Sequence, residues 1–279
     1  MSVPPARPAK LKSWYDMPRY YDMVYADYTR RETRFIQQIL KQYRPELKTP
    51  ARILEPACGS GRLLVSLAQA GHEVQGFDAN PRMVRYARQQ LRQAKVKGVV
   101  WQDQLQGFKA PSHKPFDLAH CFVSTFKYLL KEREAVQCLQ RIAASLKPDG
   151  IFLLGLHLTN YQSNPDDYER WSRREGDLKV VSETWSQPAQ RRTRTEAMQT
   201  RMHIHHAQRT AVWDTFWKFR TYSVKELKSL LKKVPALTLR GCYDFRYNLR
   251  KPRRFNQEYS DIILVLQRQT PKHRNRSCV

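Results

Sequence analysis

The chain has 279 residues, of which 41% are hydrophobic and 11% aromatic, enough to bury a sizeable core and to exclude wholesale disorder. Against 25 Asp and Glu stand 50 Lys and Arg, a net charge of +25 that invites polyanions but does not bear on fold. No apolar leader opens the chain and no apolar run approaches the ~18 residues of a membrane span, so a cytoplasmic protein without membrane contact is expected.

Residues 1–14, rich in Pro and basic groups, read as a flexible basic arm, with order beginning near Trp14. Tyr21, Val24, Tyr25 and Tyr28, then Phe35, Ile36, Ile39 and Leu40, recur at helical spacing and predict two amphipathic helices before Pro45. From Ala51 strands and helices alternate, which argues for a parallel sheet covered on both faces. Strands are expected at 52–55, 72–78, 99–101, 116–122 and 151–157. Helices are expected at 62–70, ended by Gly71, from Pro81 to about residue 95 after an Asn80 cap, and at 132–146 before a turn at 147–150.

Residues 159–210 are polar, Arg-rich and poor in aliphatic groups, and read as an inserted antiparallel cover with strands at 184–186 and 198–206. Residues 211–220 alternate aromatic and polar groups. A helix capped by Ser223 and strands at 237–243 and 261–266 follow. A basic tail occupies 269–279, leaving one domain over 15–268. Half of the excess charge, +13, lies beyond residue 158. The five cysteines, Cys58, Cys121, Cys138, Cys242 and Cys278, are scattered and form no C-x-x-C pair, so neither a disulfide framework nor a thiolate zinc site is expected.

Chemistry concentrates in Glu55-Pro56-Ala57-Cys58-Gly59-Ser60-Gly61. Glycines between a strand and a helix let backbone approach a ligand and leave helix-terminal N–H groups free to meet it. A dinucleotide fingerprint needs a third glycine where this chain has Leu64, and no phosphate-cradling P-loop run exists. Glu55 ends the first strand, where it can hold an amino group. Asp78 ends the second, 17 residues after Gly61, where two carboxylate oxygens suit the two hydroxyls of a ribose. Asp103 follows the third and suits an exocyclic amine. A ligand with an amino group, a ribose and an adenine but no phosphate satisfies all three.

On these residues, with Gly76-Phe77-Asp78 and Leu146-Lys147-Pro148-Asp149-Gly150, the sequence resembles the class I S-adenosylmethionine-dependent methyltransferases over roughly residues 15–268. The resemblance implies an α/β fold: a doubly wound, mostly parallel seven-stranded sheet of Rossmann-like type, with an N-terminal helical lid. It implies S-adenosyl-L-methionine as cofactor, with Ala57, Cys58, Gly59 and Gly61 along its methionine part and Asp78 on the ribose. Ala79 and Met83 would flank the adenine, Asp103 and Gln104 would meet its edge, and Phe122 ends the fourth strand beside the site. Tyr21, Asp22 and Tyr25 match the Y-D-x-x-Y segment that small-molecule members use as a lid.

A sulfonium donor is already activated, so the protein's task is to align a nucleophile and exclude water. Topology nominates Tyr21 and His157, at the end of the fifth strand, as catalytic candidates. Trp171, Trp185, Trp213 and Trp217 could line an acceptor pocket. His203 and His205 share one strand face, but no further ligand is spaced to complete a metal site. The expected acceptor is a small molecule. RNA stays as the alternative because of the charge and of Arg82, Arg85, Arg88 and Arg92 on one helix. Against RNA, Val123-Ser124-Thr125-Phe126 replaces the N-P-P-[YF] or D-P-P-[YF] element of base-modifying enzymes. A non-catalytic binder of the cofactor is the third reading.

Overall fold

The computed structural model describes residues 10–47, 50–111, 113–162 and 167–269. The first nine residues of the expected arm, Cys278 and all of the expected tail beyond Gln269 lie outside them. In chain order the elements are β1 (Lys10–Leu11), α1 (Pro18–Tyr25), α2 (Thr29–Tyr43), β2 (Arg52–Pro56), α3 (Arg62–Gln69), β3 (Glu73–Asp78), α4 (Pro81–Gln93), β4 (Val99–Gln102) and β5 (Phe116–Cys121). There follow α5 (Glu132–Ser145), β6 (Leu146–His157), β7 (Asp167–Glu175), β8 (Leu178–Ser186), β9 (Thr195–His206), β10 (Arg209–Arg220), α6 (Val224–Lys232), β11 (Leu237–Tyr243) and β12 (Asp261–Arg268).

Seven strands form one sheet in the order β11-β12-β6-β5-β2-β3-β4, parallel except for β12, which runs antiparallel to both β6 and β11. Side chains alternate between its faces. Leu54, Ala119, Phe152 and Leu154 enter one buried cluster with Leu139 of α5 and Leu227 of α6; Ile53, Leu118, Ile151 and Leu153 enter another with Ile36, Leu67 and Val84 of α2, α3 and α4. Both faces are therefore dry, and the near-continuous apolar strands of a doubly wound sheet follow from that. Chain direction in the strand order reverses at β2, between β3 and β5, so a crevice opens at the carboxyl ends of these strands.

A second sheet, in the order β1-β10-β9-β8-β7, lies over a third cluster in which Trp14, Met23 and Val24 meet Val180, Met202 and Ile204. Its long β9–β10 ladder carries the pairing on to Arg220, ten residues beyond the expected edge of the insertion at residue 210. The aromatic and polar alternation of residues 211–220 is the period of a strand half-buried on this sheet. Order also begins earlier than Trp14, because Lys10 and Leu11 pair in parallel with Trp213 and Asp214. The expected turn at 147–150 is a bulge inside β6: Phe116 pairs with Leu146 but Leu118 with Ile151, and Asp149 takes a φ of +60°. Among the described residues no helix is long and apolar enough to cross a membrane.

Candidate active site

Strand β2 hands the chain to α3 through a loop whose backbone bonds hold it against β3. Cys58 N–H donates to Phe77 O (2.8 Å) and Gly61 N–H to Cys58 O (2.9 Å). Gly61 precedes the helix with φ +78°, and a Cβ there would lie 2.7 Å from Cβ of Ala87 on α4, so only glycine allows α3 and α4 to meet this closely. Asp78 clasps the same loop from β3: Oδ2 accepts from Gly59 N–H (2.9 Å) and Oδ1 from Asn80 N–H (2.8 Å). Each oxygen keeps a second lone pair. Burial raises the Asp78 carboxyl above its ordinary range, against the pull of these two N–H groups.

Glu55 is buried at the end of β2, and its Oε2 has no hydrogen-bond partner. Burial pushes its carboxyl well above the usual range; nearby Arg62 and the Leu64 N–H act in the opposite direction. Arg62 is itself engaged 2.5 Å from Glu32 of α2, which also accepts from Tyr247 Oη (2.7 Å). This pairing ties the first residue of α3 to α2 and to the loop after β11.

The segment before the sheet closes over the loop. Ser60 Oγ donates to Asp22 (2.7 Å), Asn80 Nδ2 donates to Asp16 (3.0 Å), and Tyr86 Oη reaches Asp22 at 3.4 Å. Tyr21 stands over the glycines: a Cβ on Gly59 would be 3.6 Å from its Cε1. Its ring packs on Tyr25 (4.7 Å between centroids) and edge-on to Trp14, which stacks on Trp217 of β10 at 5.1 Å. Burial holds the Tyr21 phenol well above its ordinary value, hence protonated at neutral pH.

Beyond Tyr21 lies a cavity of about 630 Å³ between α1, the carboxyl ends of the strands and the second sheet. An adjoining cavity of about 550 Å³ shares Tyr25, Val123, His157 and Trp171 with it. Of the expected site residues, Tyr21 and His157 line the first cavity, and none of the expected cofactor residues lines either. Those lie together on Tyr21's other side: Glu55, Ala57, Cys58, Gly59 and Gly61 along the loop, Asp78 and exposed Ala79 at the end of β3, and Met83 buried in the first turn of α4.

Asp103 N–H donates to Asp78 O (3.2 Å), which sets Asp103, just past the end of β4, beside the end of β3. The Asp103 carboxylate closes its own loop, accepting from Gln104 N–H (2.8 Å) and Lys109 N–H (3.0 Å), while Gln104 faces solvent. Phe122 is buried in the same cluster as Cys58, its ring packed against His120 and Tyr247. Trp171 and Trp217 line the first cavity, whereas Trp185 packs on Tyr168 and Trp213 lies under Lys12. His203 pairs with Glu183 (3.0 Å) and His205 with Thr210 (3.0 Å).

Sequence reasoning missed Asp261. Its Oδ1 lies 2.6 Å from His157 Nδ1, because Asp261 and His157 are directly opposed across the antiparallel pair of β12 and β6. The residues are 104 positions apart, and only the register of β12 on β6 could have linked them. It missed Lys127 as well, a buried cation on the cavity wall paired with Glu196 of β9 at 2.5 Å.

Residues 53–150 match the family model of the methyltransferase domain. A protein named as a methyltransferase in Geobacillus sp. (strain WCH70) is 35% identical over 128 residues, covering 45% of this chain and 49% of the relative. The chain spans about half the length of the curated relatives it matches. Among solved structures, an S-adenosylmethionine-dependent methyltransferase from Clostridium acetobutylicum superposes with a TM-score of 0.73 at 15% identity, over 92% of this chain and 99% of that one. A sugar N-methyltransferase from Streptoalloteichus sp. superposes with a TM-score of 0.68 at 14% identity, over 97% and 98%. The chain thus has the Rossmann-like fold of these methyltransferase structures, and its residues 53–150 are similar to the methyltransferase domain.

Proposed function

We propose that the protein is an S-adenosylmethionine-dependent methyltransferase whose acceptor is a small molecule bound in the cavity beneath the second sheet. The observation that carries this reading is the position of Tyr21, whose ring covers Gly59 on one side and lines the cavity on the other. A donor on the glycine loop and an acceptor in the cavity would then share one wall.

The residues present suit the donor. The unpartnered, buried Oε2 of Glu55 can accept from its amino group, and the free lone pairs of Asp78 from its ribose hydroxyls. Gly59 and Gly61 leave room along the backbone, and Asp103 beside Asp78 is on hand for the adenine edge. When bound, the sulfonium supplies a methyl group that bonds to the acceptor as its carbon–sulfur bond breaks, the electron pair remaining on sulfur. The chain's own part is to orient and to keep water out, which the Tyr21, Tyr25 and Trp14 rings do by closing the loop side of the cavity. Tyr21, held protonated by burial, serves as a wall and hydrogen-bond donor rather than as a base.

The sugar N-methyltransferase name carried by a neighbour of the same fold supports a small acceptor. Carboxylates at the cavity also weigh against a phosphate-rich one: Asp167, Glu169, Glu258 and Asp261 line it. The four described cysteines are buried, unpaired thiols, which supports a cytoplasmic setting. The decisive experiment is incubation with S-adenosylmethionine labelled in the methyl group and fractionated cell extract. Label in small molecules with none in RNA is the expected result, and label confined to RNA would overturn the reading.

A further inference from the structure

The cavity is charged against the rest of the molecule. In a chain of net charge +25, the side chains lining the first cavity include Asp167, Glu169, Glu258 and Asp261, and its one Lys or Arg among the described residues, Lys127, is already paired with Glu196. The adjoining cavity brings Arg31 and Arg253, the latter 2.7 Å from Asp244. Rings of Tyr21, Tyr25, Trp171 and Trp217 make up much of the remaining wall. Carboxylates attract a cation by charge, and aromatic faces attract it by their quadrupole. Ser182, only 1% exposed, lines the same wall with an unpartnered Oγ, a buried hydroxyl available to a polar group of a bound molecule.

His157 sits where the two cavities meet. An ionised Asp261 can only accept, which assigns the Nδ1–H of His157 to this bond and makes Nε2 the acceptor of the neutral ring, facing both cavities. We infer that the acceptor is an amine that enters in its ammonium form, is held by these carboxylates and rings, and gives its proton to Nε2 of His157. Asp261 is the positioning residue that fixes the imidazole tautomer. The inference rests on the methyltransferase reading and specifies its substrate class. In the proton step the acceptor's N–H bond breaks with its electron pair left on nitrogen, and the proton bonds to Nε2. The positive charge passes to the imidazole, next to the Asp261 carboxylate. An ammonium has no lone pair to attack with, so this step must precede methyl transfer.

Three probes on a common cyclohexyl ring vary the charge: cyclohexylamine and the near-isosteric cyclohexanol, with cyclohexanecarboxylate as the anion, titrated into the full chain and followed by the fluorescence of the cavity tryptophans. S-adenosylhomocysteine is titrated separately by calorimetry, so that failure of the donor site is read independently of the acceptor. The amine should bind about tenfold or more tightly than the alcohol, and the carboxylate most weakly. Glu169→Gln should weaken the amine and leave the alcohol unchanged. An amine that binds no better than the alcohol, including no binding by either, overturns the inference whatever the calorimetry shows. For the positioning role, 15N spectra of labelled histidine should report the Nδ1–H tautomer at His157 in the native chain and a shift toward Nε2–H in Asp261→Asn. An unchanged tautomer in Asp261→Asn overturns that role without any activity assay.

Discussion

Asp22 accepts a 2.7 Å hydrogen bond from Ser60 Oγ, so the helix that precedes the sheet is fastened to the glycine loop by one side-chain pair. Asp22→Asn and Ser60→Ala should each weaken S-adenosylmethionine binding severalfold. A double-mutant cycle should return a coupling of about 1 kcal/mol, the scale of a net hydrogen bond between contacting residues. Calorimetry on the four proteins checks it, and strict additivity would show that the two residues act separately.

The glycines of the loop should not respond alike. Gly61→Ala drives a Cβ against Ala87 at a left-handed backbone position and should cost about 2–4 kcal/mol in urea unfolding. Gly59 is left-handed as well, at φ +53°, but there the new methyl would meet Tyr21 at 3.6 Å, an ordinary contact, so Gly59→Ala should carry the backbone cost of about 1–2 kcal/mol without the steric one, and should lose donor affinity. Equal destabilisation by the two would contradict the geometry.

Asp78 joins loop, strand and ligand. Asp78→Ala should weaken S-adenosylmethionine binding by about 1–3 kcal/mol, the range for a lost polar contact to a buried group. Equal affinity of the two proteins by calorimetry would remove Asp78 from the donor site.

Buried charge should show in unfolding as well. Glu32→Gln leaves Arg62 enclosed without its counter-ion and should cost about 3–5 kcal/mol, and the double change Glu32→Leu with Arg62→Leu should recover part of the loss. Thermal and urea unfolding of the two variants decide between a paired charge and an idle one.

His120 sets a pH dependence with a definite sign. It is wholly buried, neither ring nitrogen has a partner, and burial, with Arg62 adding to it, pushes it down to about 3. An unfolded histidine takes a proton near pH ~6.5. Between that value and about 3 the unfolded chain binds a proton the folded one refuses, so stability is full above this window and falls with pH by about 1.4 kcal/mol per unit. His120→Phe should flatten this acid limb in urea unfolding series at about pH 7, 6 and 5. An unchanged slope would show that His120 charges inside the fold.

Most of the sheet was legible because its strands are buried on both faces and its turns carry Gly, Pro and Asn at positions with a mechanical reason. The glycine loop was legible for the same cause: Gly61 has to be glycine where α3 passes Ala87, and Asp78 has to end a strand to clasp Gly59. What escaped depends on pairing across long separations. The strand at Arg209–Arg220 has the right alternation, but its partner is set by a hairpin at Ala207, where φ is +51° without a glycine to announce it. Asp261 reaches His157 only through the register of the final antiparallel pair.

The pairing of Lys10 and Leu11 with Trp213 and Asp214, and the stacking of Trp14 on Trp217, also bear on how the chain is made. The first described residues have their partners some two hundred positions later, so they cannot settle until β10 has left the ribosome. At 5–20 residues per second that delay is about 10–40 s. The aromatic wall that divides the donor loop from the cavity is therefore synthesised first and completed late, around a sheet that has already had time to form.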